Sequence, residues 1–169
     1  MSEQTINLSK RTLVVTRIID APVEKVWRAW TDPEQVKQWW GPEFYTAPYA
    51  RIDLREGGQY VFAMRAPAEF GGGDSFTAGV YSKIVPLERL EFTQGLADAD
   101  GKRMDPAQAG MPPDFPPELH TVITFKARGQ MTELIITEES WTMGQMYVYS
   151  YAGTQQMIDK LAAYLSERA

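Results

Sequence analysis

The first apolar positions of the chain predict a strand followed by two helices. The β-branched run Leu13–Ile19 is typical of a strand, and Asp20-Ala21-Pro22 after it favours a helix start. Apolar residues three and four positions apart then form one stripe on this helix: Val23, Val26, Trp27 and Trp30. At Thr31-Asp32-Pro33 a second, short helix begins, with Asp32 as its predicted N-cap, and Gly41-Pro42 ends it.

From about residue 43 the hydrophobic period changes to two, which indicates strands. Ile52 and Leu54 alternate with charged residues, and the turn at 56–59 leads into a strand on which Tyr60, Phe62 and Met64 share one face. Four further strands are predicted, over residues 75–85, 89–94, 121–126 and 132–138. Because the turns between successive strands are mostly short, we expect an antiparallel meander.

The chain ends in a long predicted helix, residues 145–167. Five of its apolar residues recur near one face, namely Tyr147, Tyr151, Ile158, Leu161 and Leu165, and three charged residues point away, namely Lys160, Glu167 and Arg168. Residues 97–117 show no periodic pattern and contain five prolines, and a loop of this length is usually functional or disordered. We therefore predict an α+β protein in β-α-α-β6-α order, with a polar leader at 1–10 and one domain at 11–169.

Composition narrows the classes of function. The chain has 169 residues, of which 44% are hydrophobic and 23% charged, as expected for one soluble globular domain. A net charge of −5 argues against nucleic-acid or anionic-membrane partners. With no cysteine there is no disulfide, thiol nucleophile or thiolate metal site. The polar N-terminal sequence lacks the apolar core of a signal peptide, and no apolar run reaches 18 residues, so we expect a cytoplasmic protein.

The familiar catalytic and cofactor motifs are missing from the sequence. His120 is the only histidine, which argues against a Ser-His-Asp relay and a zinc site. Asp98-Ala99-Asp100-Gly101 begins like a calcium loop, but Lys102 occupies a ligand position and no glutamate closes the loop at residue 109. Gly71-Gly72-Gly73 lacks the spacing of a nucleotide-binding loop. We predict neither metal nor cofactor.

Four short motifs follow one another in a specific order. They are residues 20–22 (Asp-Ala-Pro) with 26–33 (Val-Trp-Arg-Ala-Trp-Thr-Asp-Pro), 39–42 (Trp-Trp-Gly-Pro), 53–60 (Asp-Leu-Arg-Glu-Gly-Gly-Gln-Tyr) and 161–165 (Leu-Ala-Ala-Tyr-Leu). Together they resemble the START-like helix-grip (SRPBCC) superfamily, in the branch similar to the C-terminal domain of the Hsp90 ATPase activator. The resemblance implies a curved antiparallel sheet that wraps around the long C-terminal helix, with a cavity between them.

Two segments depart from that family pattern. The family often has Gly-Trp where this chain has Gly153-Thr154, so a bulky side chain is missing from the long helix. The family also usually has a shorter connection at the position of residues 97–117, and the additional length in this chain is a candidate lid.

Large apolar side chains on the sheet and the last helix are the candidate cavity lining. The set comprises Tyr60, Phe62, Met64, Phe76, Phe92, Phe125, Met143, Tyr147, Tyr151 and Met157, each of which either fills the core or contacts a ligand. Glu138 follows Ile136 on an apolar strand face. It is either a general base with raised pKa or a solvated residue at a strand end. The predicted binding residues are Tyr60, Phe62, Met64, Phe76, Phe92, Phe125, Glu138, Tyr147 and Tyr151.

The tryptophans form a second set, Trp27, Trp30, Trp39 and Trp40. We expect them to pack the two short helices onto one end of the sheet. The alternative is a cavity mouth or a surface for a partner, because tryptophan is enriched at interfaces.

The leading hypothesis for function is binding of a small hydrophobic molecule between the sheet and the last helix. One alternative is a chaperone-associated module. Hsp90 activators resembling this chain carry an additional N-terminal domain, whereas about ten polar residues precede the first strand here, so we do not expect Hsp90 as a partner. Another alternative is a cofactor-free cyclase- or hydrolase-like enzyme using Glu138 with a tyrosine. A homodimer is left open.

Overall fold

The computed structural model describes residues 10–142 and 144–167. Its elements are, in chain order, β1 (Lys10–Ile19), α1 (Val23–Thr31), α2 (Pro33–Val36), β2 (Thr46–Ile52), β3 (Gln59–Arg65), a 3-10 turn (Ala68–Phe70), β4 (Asp74–Val85), β5 (Arg89–Ala97), β6 (Leu119–Arg128), β7 (Met131–Thr142) and α3 (Gln145–Glu167). The predicted order of elements is confirmed. Residues 1–9 of the predicted leader and Met143 lie outside the described part of the chain.

The seven strands form one antiparallel sheet in the order β1-β7-β6-β5-β4-β3-β2. From β2 to β7 each strand pairs with the next, as a meander requires, while β1 pairs with β7, placing Val15 opposite Ile136. The two short helices carry the chain from the β1 edge to the β2 edge. The sheet is curved and does not close, and α3 runs along its inner side, so the predicted α+β helix-grip architecture is confirmed.

Local sequence signals account for the helix starts. Pro22 occupies the N-cap position of α1 without a side-chain hydrogen bond, and Glu24 lies in the first turn, where a negative charge favours the helix. At the start of α2 the Asp32 carboxylate accepts a hydrogen bond from the backbone N–H of Glu34 at 2.9 Å, which confirms the predicted N-cap.

The tryptophans pack the two short helices onto one end of the core. Trp39 is fully buried, and its indole N–H donates to the Ala29 carbonyl oxygen at 3.1 Å. Its ring meets Trp30 edge-on at a centroid distance of 4.6 Å and Trp40 at 5.8 Å. Trp27 packs in the same way against Phe125 of β6, at 5.1 Å. The predicted packing role is therefore confirmed.

Strand β3 is buried on both faces. Val61 and Ala63, which lie on the face opposite Tyr60 and Phe62, have no exposed surface. The cover comes partly from residues 98–103, since the Gln59 side chain donates to the Gly101 carbonyl oxygen at 2.9 Å. A Cβ atom on Gly101 would lie 2.7 Å from Val61, so the turn sits directly on the strand. Leu54, predicted to share an apolar strand face with Ile52, lies beyond the end of β2 and is exposed.

The proline-rich connection at 97–117 is tied to the sheet at one end and to α3 at the other. Arg103 lies against Gly95 and donates to the Pro117 carbonyl oxygen at 2.9 Å. At the far end the Asp114 carboxylate accepts a hydrogen bond from the backbone N–H of Met146 at 3.1 Å, in the first turn of α3. The segment thus passes from the outer face of the sheet to the start of the last helix. Across residues 10–142 and 144–167, no helix is both long and apolar enough to span a membrane.

Candidate functional site

A cavity of about 380 Å³ lies between the inner face of the sheet and the N-terminal half of α3. The sheet contributes large apolar side chains from β3, β5, β6 and β7, namely Met64, Phe92, Ile123 and Ile136. Two connections complete the wall, with Pro42 and Tyr45 on one side and Met111 and Phe115 of the proline-rich connection on the other. Trp30 and Trp40 line the cavity as well, so they contribute both to the core and to the wall.

The side chains of α3 explain why the cavity lies under one half of this helix only. In its C-terminal half, Ile158, Leu161 and Leu165 are buried in the main core. Nearer its N-terminus, three of the residues that line the cavity are small, namely Ser150, Gly153 and Thr154. A helix that presents large side chains at one end and small ones at the other leaves unfilled volume beneath the small ones.

Lys160 fixes the connection that forms one side of the cavity. Its ammonium nitrogen lies 2.9–3.4 Å from four backbone carbonyl oxygens, those of Trp40, Gly41, Pro42 and Tyr45, to which its three N–H groups donate. Burial lowers the pKa of the Lys160 amine. The prediction that Lys160 points away from the packed side of the helix is wrong, because its long aliphatic stem lets the charged end reach carbonyl oxygens on a neighbouring connection.

Glu138 stands in an otherwise apolar part of the wall. It lies on β7, is only 6% exposed, and its carboxylate accepts a hydrogen bond from the Trp141 indole at 2.9 Å. Burial raises the pKa of Glu138, and the hydrogen bond from Trp141 offsets part of that rise. Of the two positions predicted for this side chain, the solvated strand end is wrong and the desolvated position is the one observed.

Two neighbouring polar side chains extend this patch across the sheet. Thr121 lies directly opposite Glu138 on β6 and is 1% exposed. Its hydroxyl donates to the amide oxygen of Gln94 on β5 at 3.3 Å. All three side chains line the cavity, so Gln94, Thr121 and Glu138 form one polar patch, spanning three adjacent strands.

We expect the Glu138→Gln substitution to change stability in a pH-dependent way. The pKa of Glu138 is higher in the folded protein than in the unfolded chain, where it is about 4.3. The wild type therefore loses stability as pH rises from about 4.3 through the pKa of the folded state. The variant does not titrate and should gain relative stability above about pH 4.3, by at most about 1.4 kcal/mol per pH unit.

Urea unfolding of both proteins between pH 4 and pH 8 measures this difference. Glu69→Gln is the control, because it makes the same substitution at an exposed position. A flat difference for Glu138→Gln would show that the folded protein does not retain the proton.

The predicted binding residues lie in several different environments. Met64, Phe92 and Glu138 line the cavity. Tyr60 and Phe62 lie on the same face but pack within the core, where the Tyr60 hydroxyl donates to the Thr93 carbonyl oxygen at 2.8 Å. The remaining four lie elsewhere: Phe76 with the small outer cluster around Val61, Phe125 against Trp27, Tyr147 against Trp141, and Tyr151 41% exposed.

The core-facing side of α3 was predicted correctly, since Ile158, Leu161 and Leu165 are buried, but the cavity is lined from a neighbouring side of the helix. The lining residues of α3 are Met146, Tyr149, Ser150, Gly153, Thr154 and Met157. Tyr147 and Tyr151 each follow a lining position by one residue, which turns them by about 100° around the helix. Apolar character suggested these two tyrosines, whereas the departure at Gly153-Thr154 was the signal that marked the lining side.

The lone histidine lies away from the cavity. His120 and Glu139 face each other across β6 and β7, with 3.3 Å between His Nδ1 and a carboxylate oxygen, and both are well exposed. In the part of the chain that the structure describes, no three His, Asp or Glu side chains are grouped closely enough to hold a metal ion.

Comparisons with known proteins agree with this architecture. Similar solved structures include a protein of Chromobacterium violaceum (29% identical, TM-score 0.72), which covers 91% of this chain and 96% of its own. A protein of Nitrosomonas europaea is 23% identical with a TM-score of 0.73, over 93% and 95% of the two chains. The AHSA1 protein of Silicibacter pomeroyi is 22% identical with a TM-score of 0.72, over 94% and 100%.

No curated protein shows a significant match to the sequence. The family model described as "Activator of Hsp90 ATPase homolog 1-like protein" matches residues 20–166, which include every element from α1 to α3. This match spans most of the chain, and the strand order and cavity above fit the helix-grip architecture that the sequence motifs predicted. The chain therefore belongs to the Activator of Hsp90 ATPase homolog 1-like family.

Proposed function

We propose that this protein binds a small hydrophobic molecule in the cavity between the sheet and α3. The observation that carries the proposal is the cavity itself, about 380 Å³ in volume and walled mainly by apolar side chains. Ligand pockets typically measure about 300–1,000 Å³ and combine an apolar lining with a few polar groups. The patch formed by Gln94, Thr121 and Glu138 supplies those polar groups.

The lining is suited to ligands of variable shape. Four methionines contribute to the wall, namely Met64, Met111, Met146 and Met157. Their unbranched, polarisable side chains adapt to an occupant more easily than branched ones do. Met111 and Phe115 come from the proline-rich connection, which supports its proposed role as a cover over the cavity.

We expect the Thr154→Trp substitution to abolish most of this binding. Thr154 is buried and lines the cavity, so an indole at this position would occupy the volume that the ligand needs. Fluorescence titration with N-phenyl-1-naphthylamine, an uncharged apolar probe, should show affinity reduced by about tenfold or more, the equivalent of about 1.4 kcal/mol.

The matched control is Ala163→Trp, which adds the same side chain to an exposed position of the same helix. It should bind the probe like the wild type. Met157→Trp fills the cavity from a second position, so that a folding defect specific to Thr154→Trp does not decide the result. Circular dichroism checks that each variant is folded. The proposal fails if the wild type does not bind the probe, or if both cavity variants bind it as well as Ala163→Trp does.

A chaperone-associated role is the alternative, and it is supported by the family to which the chain belongs. Stimulation of Hsp90 ATPase activity by this chain would favour that role over ligand binding. Turnover of an identified ligand, lost in Glu138→Gln, would favour the enzymatic alternative. The cytoplasmic location and the oligomeric state stay predictions.

A further inference from the structure

We propose that the cavity selects an uncharged ligand bearing a carbonyl oxygen, which accepts hydrogen bonds from Glu138 and Gln94. This inference rests on the proposed function, since it specifies the ligand class for the same cavity. It is carried by the arrangement of hydrogen-bonding atoms on three adjacent strands.

Register places the polar patch on one continuous area of the wall. Glu138 and Thr121 are directly paired on β7 and β6, and side chains at such paired positions lie about 4.5–5.5 Å apart at their Cβ atoms. Thr121 is linked in turn to Gln94 on β5 by the hydrogen bond of 3.3 Å. Apolar side chains surround the patch, among them Phe92, Ile123 and Ile136.

Hydrogen bonds inside the protein already use one carboxyl oxygen of Glu138 and the amide oxygen of Gln94. Oε2 of Glu138 accepts from the Trp141 indole, and Oε1 of Gln94 accepts from the Thr121 hydroxyl. Within the described residues, neither the other carboxyl oxygen of Glu138 nor the amide nitrogen of Gln94 has a hydrogen-bond partner. An amide nitrogen can only donate, and a protonated carboxyl group donates through its O–H.

The surroundings of Glu138 favour its protonated form. The side chain is buried, burial raises its pKa, and among the described residues that line the cavity there is no Lys, Arg or His to pair with a carboxylate. The other titratable groups on the wall are Tyr45 and Tyr149, and Tyr60 lies nearby, where burial and, to a smaller extent, the charges of Tyr81 and Glu138 raise its pKa. A patch with two free donors is complementary to a carbonyl oxygen.

Charged ligands fit this wall less well. A carboxylate would lie beside Glu138 without a cation to compensate it, and burying an unpaired charge is costly. An alkylammonium could instead pair with ionised Glu138, and this case is one of the outcomes that the experiment separates. The donor on Gln94 has no role in binding an ammonium group, which is why the carbonyl is the ligand we infer.

Competition against N-phenyl-1-naphthylamine tests the inference with four molecules of nearly one shape. These are 2-acetylnaphthalene, 2-ethylnaphthalene, 2-naphthoate and 1-(2-naphthyl)ethylammonium. We expect the ketone to bind the wild type about tenfold more tightly than the ethyl compound, as a hydrogen bond in a desolvated site allows, and the carboxylate to bind most weakly.

Variants of Glu138 and Gln94 test whether these two side chains cause the preference for the ketone. Glu138→Leu and Gln94→Leu should each reduce the affinity for the ketone about three- to tenfold more than the affinity for the ethyl compound. Glu138→Gln retains an N–H donor and should lose less than Glu138→Leu. With ketone labelled by carbon-13 at the carbonyl, infrared spectra should show a lowered stretching frequency in the wild type that returns toward the unbound value in Glu138→Leu. A purely structural role would not move that frequency.

The outcomes separate the two proposals. If the probe binds but ketone and ethyl compound compete equally, or if the ammonium compound binds most tightly, the carbonyl inference is overturned and ligand binding stands. An unshifted carbonyl frequency in the wild type overturns the inference as well. If the wild type binds neither the probe nor any of the four molecules, both proposals fall together.

Discussion

Gly79→Ala is expected to destabilise the protein by about 3 kcal/mol or more, because the added methyl group has no space. An ideal Cβ at this position would lie 1.7 Å from the backbone carbonyl oxygen of Thr93 and 2.9 Å from the Tyr60 ring. The closest atom belongs to the backbone of β5, so relief requires the strands to separate. Gly79 thus provides the gap across which Tyr60 of β3 passes over β4 to donate to the Thr93 carbonyl at 2.8 Å.

Guanidinium unfolding followed by tryptophan fluorescence measures the loss. Gly73→Ala is the matched control, since no heavy atom lies within 4 Å of a Cβ built there and its backbone is not left-handed. That variant should stay within about 0.5 kcal/mol of the wild type. Equal stability of the two alanine variants would show that the strands at Gly79 adjust at no cost.

Trp39→Ala is the second substitution with a large expected effect, a loss of about 3–5 kcal/mol. Trp39 is fully buried between α1 and the cavity wall, where it contacts Trp30 and Trp40 edge-on. Truncation removes a large apolar contact area and leaves the Ala29 carbonyl oxygen without its indole donor. Since Trp30 and Trp40 line the cavity, the variant should weaken probe binding too.

Thermal unfolding of Trp39→Ala should show a midpoint lowered by roughly 6–20 °C, as about 2–4 °C per kcal/mol is usual for a chain of this size. Phe70→Ala serves as the control because this aromatic side chain is 66% exposed. Its midpoint should change by no more than about 2 °C, the effect of about 0.5 kcal/mol. A comparably small change in Trp39→Ala would mean that the neighbouring tryptophans fill the space.

Both substitutions change residues that pack behind the cavity wall, and neither changes a residue of the polar patch. Gly79 lets Tyr60 span three strands, and this keeps Tyr60 packed in the core behind the wall. Trp39 positions the two tryptophans that close one end of the cavity. Binding in a preformed cavity depends on such support, because a wall that collapses would offer the ligand no volume.

The order of elements and the fold could be predicted from the sequence. The period of two along β3, the stripe on α1 and the N-cap at Asp32 are local signals, determined by residues close together in the chain. They were confirmed together with the helix-grip architecture. Local patterns are reliable here because each element must place its apolar side against the same core.

The sequence also identified part of the wall. Met64 was predicted from strand alternation and Phe92 as a large apolar side chain, and Glu138 stood out as a carboxylate on an apolar face. Whether Glu138 was buried could not be predicted, since its exposure depends on Trp141 and on the helix that covers it. Trp141 lies on the same strand, beyond the predicted end at residue 138, and the helix is a separate element whose position is set by packing.

Only the tertiary structure decided which residues of α3 line the cavity, the role of Lys160 and the path of residues 97–117. A tyrosine one position away from the lining side looks equally apolar in the sequence, but packing of Ile158, Leu161 and Leu165 against the sheet leaves Thr154 over the cavity. The sequence alone determined the elements, their order and which residues could form a core. Where the core stays unfilled is a property of how side chains of different elements fit together, and no local pattern encodes that volume.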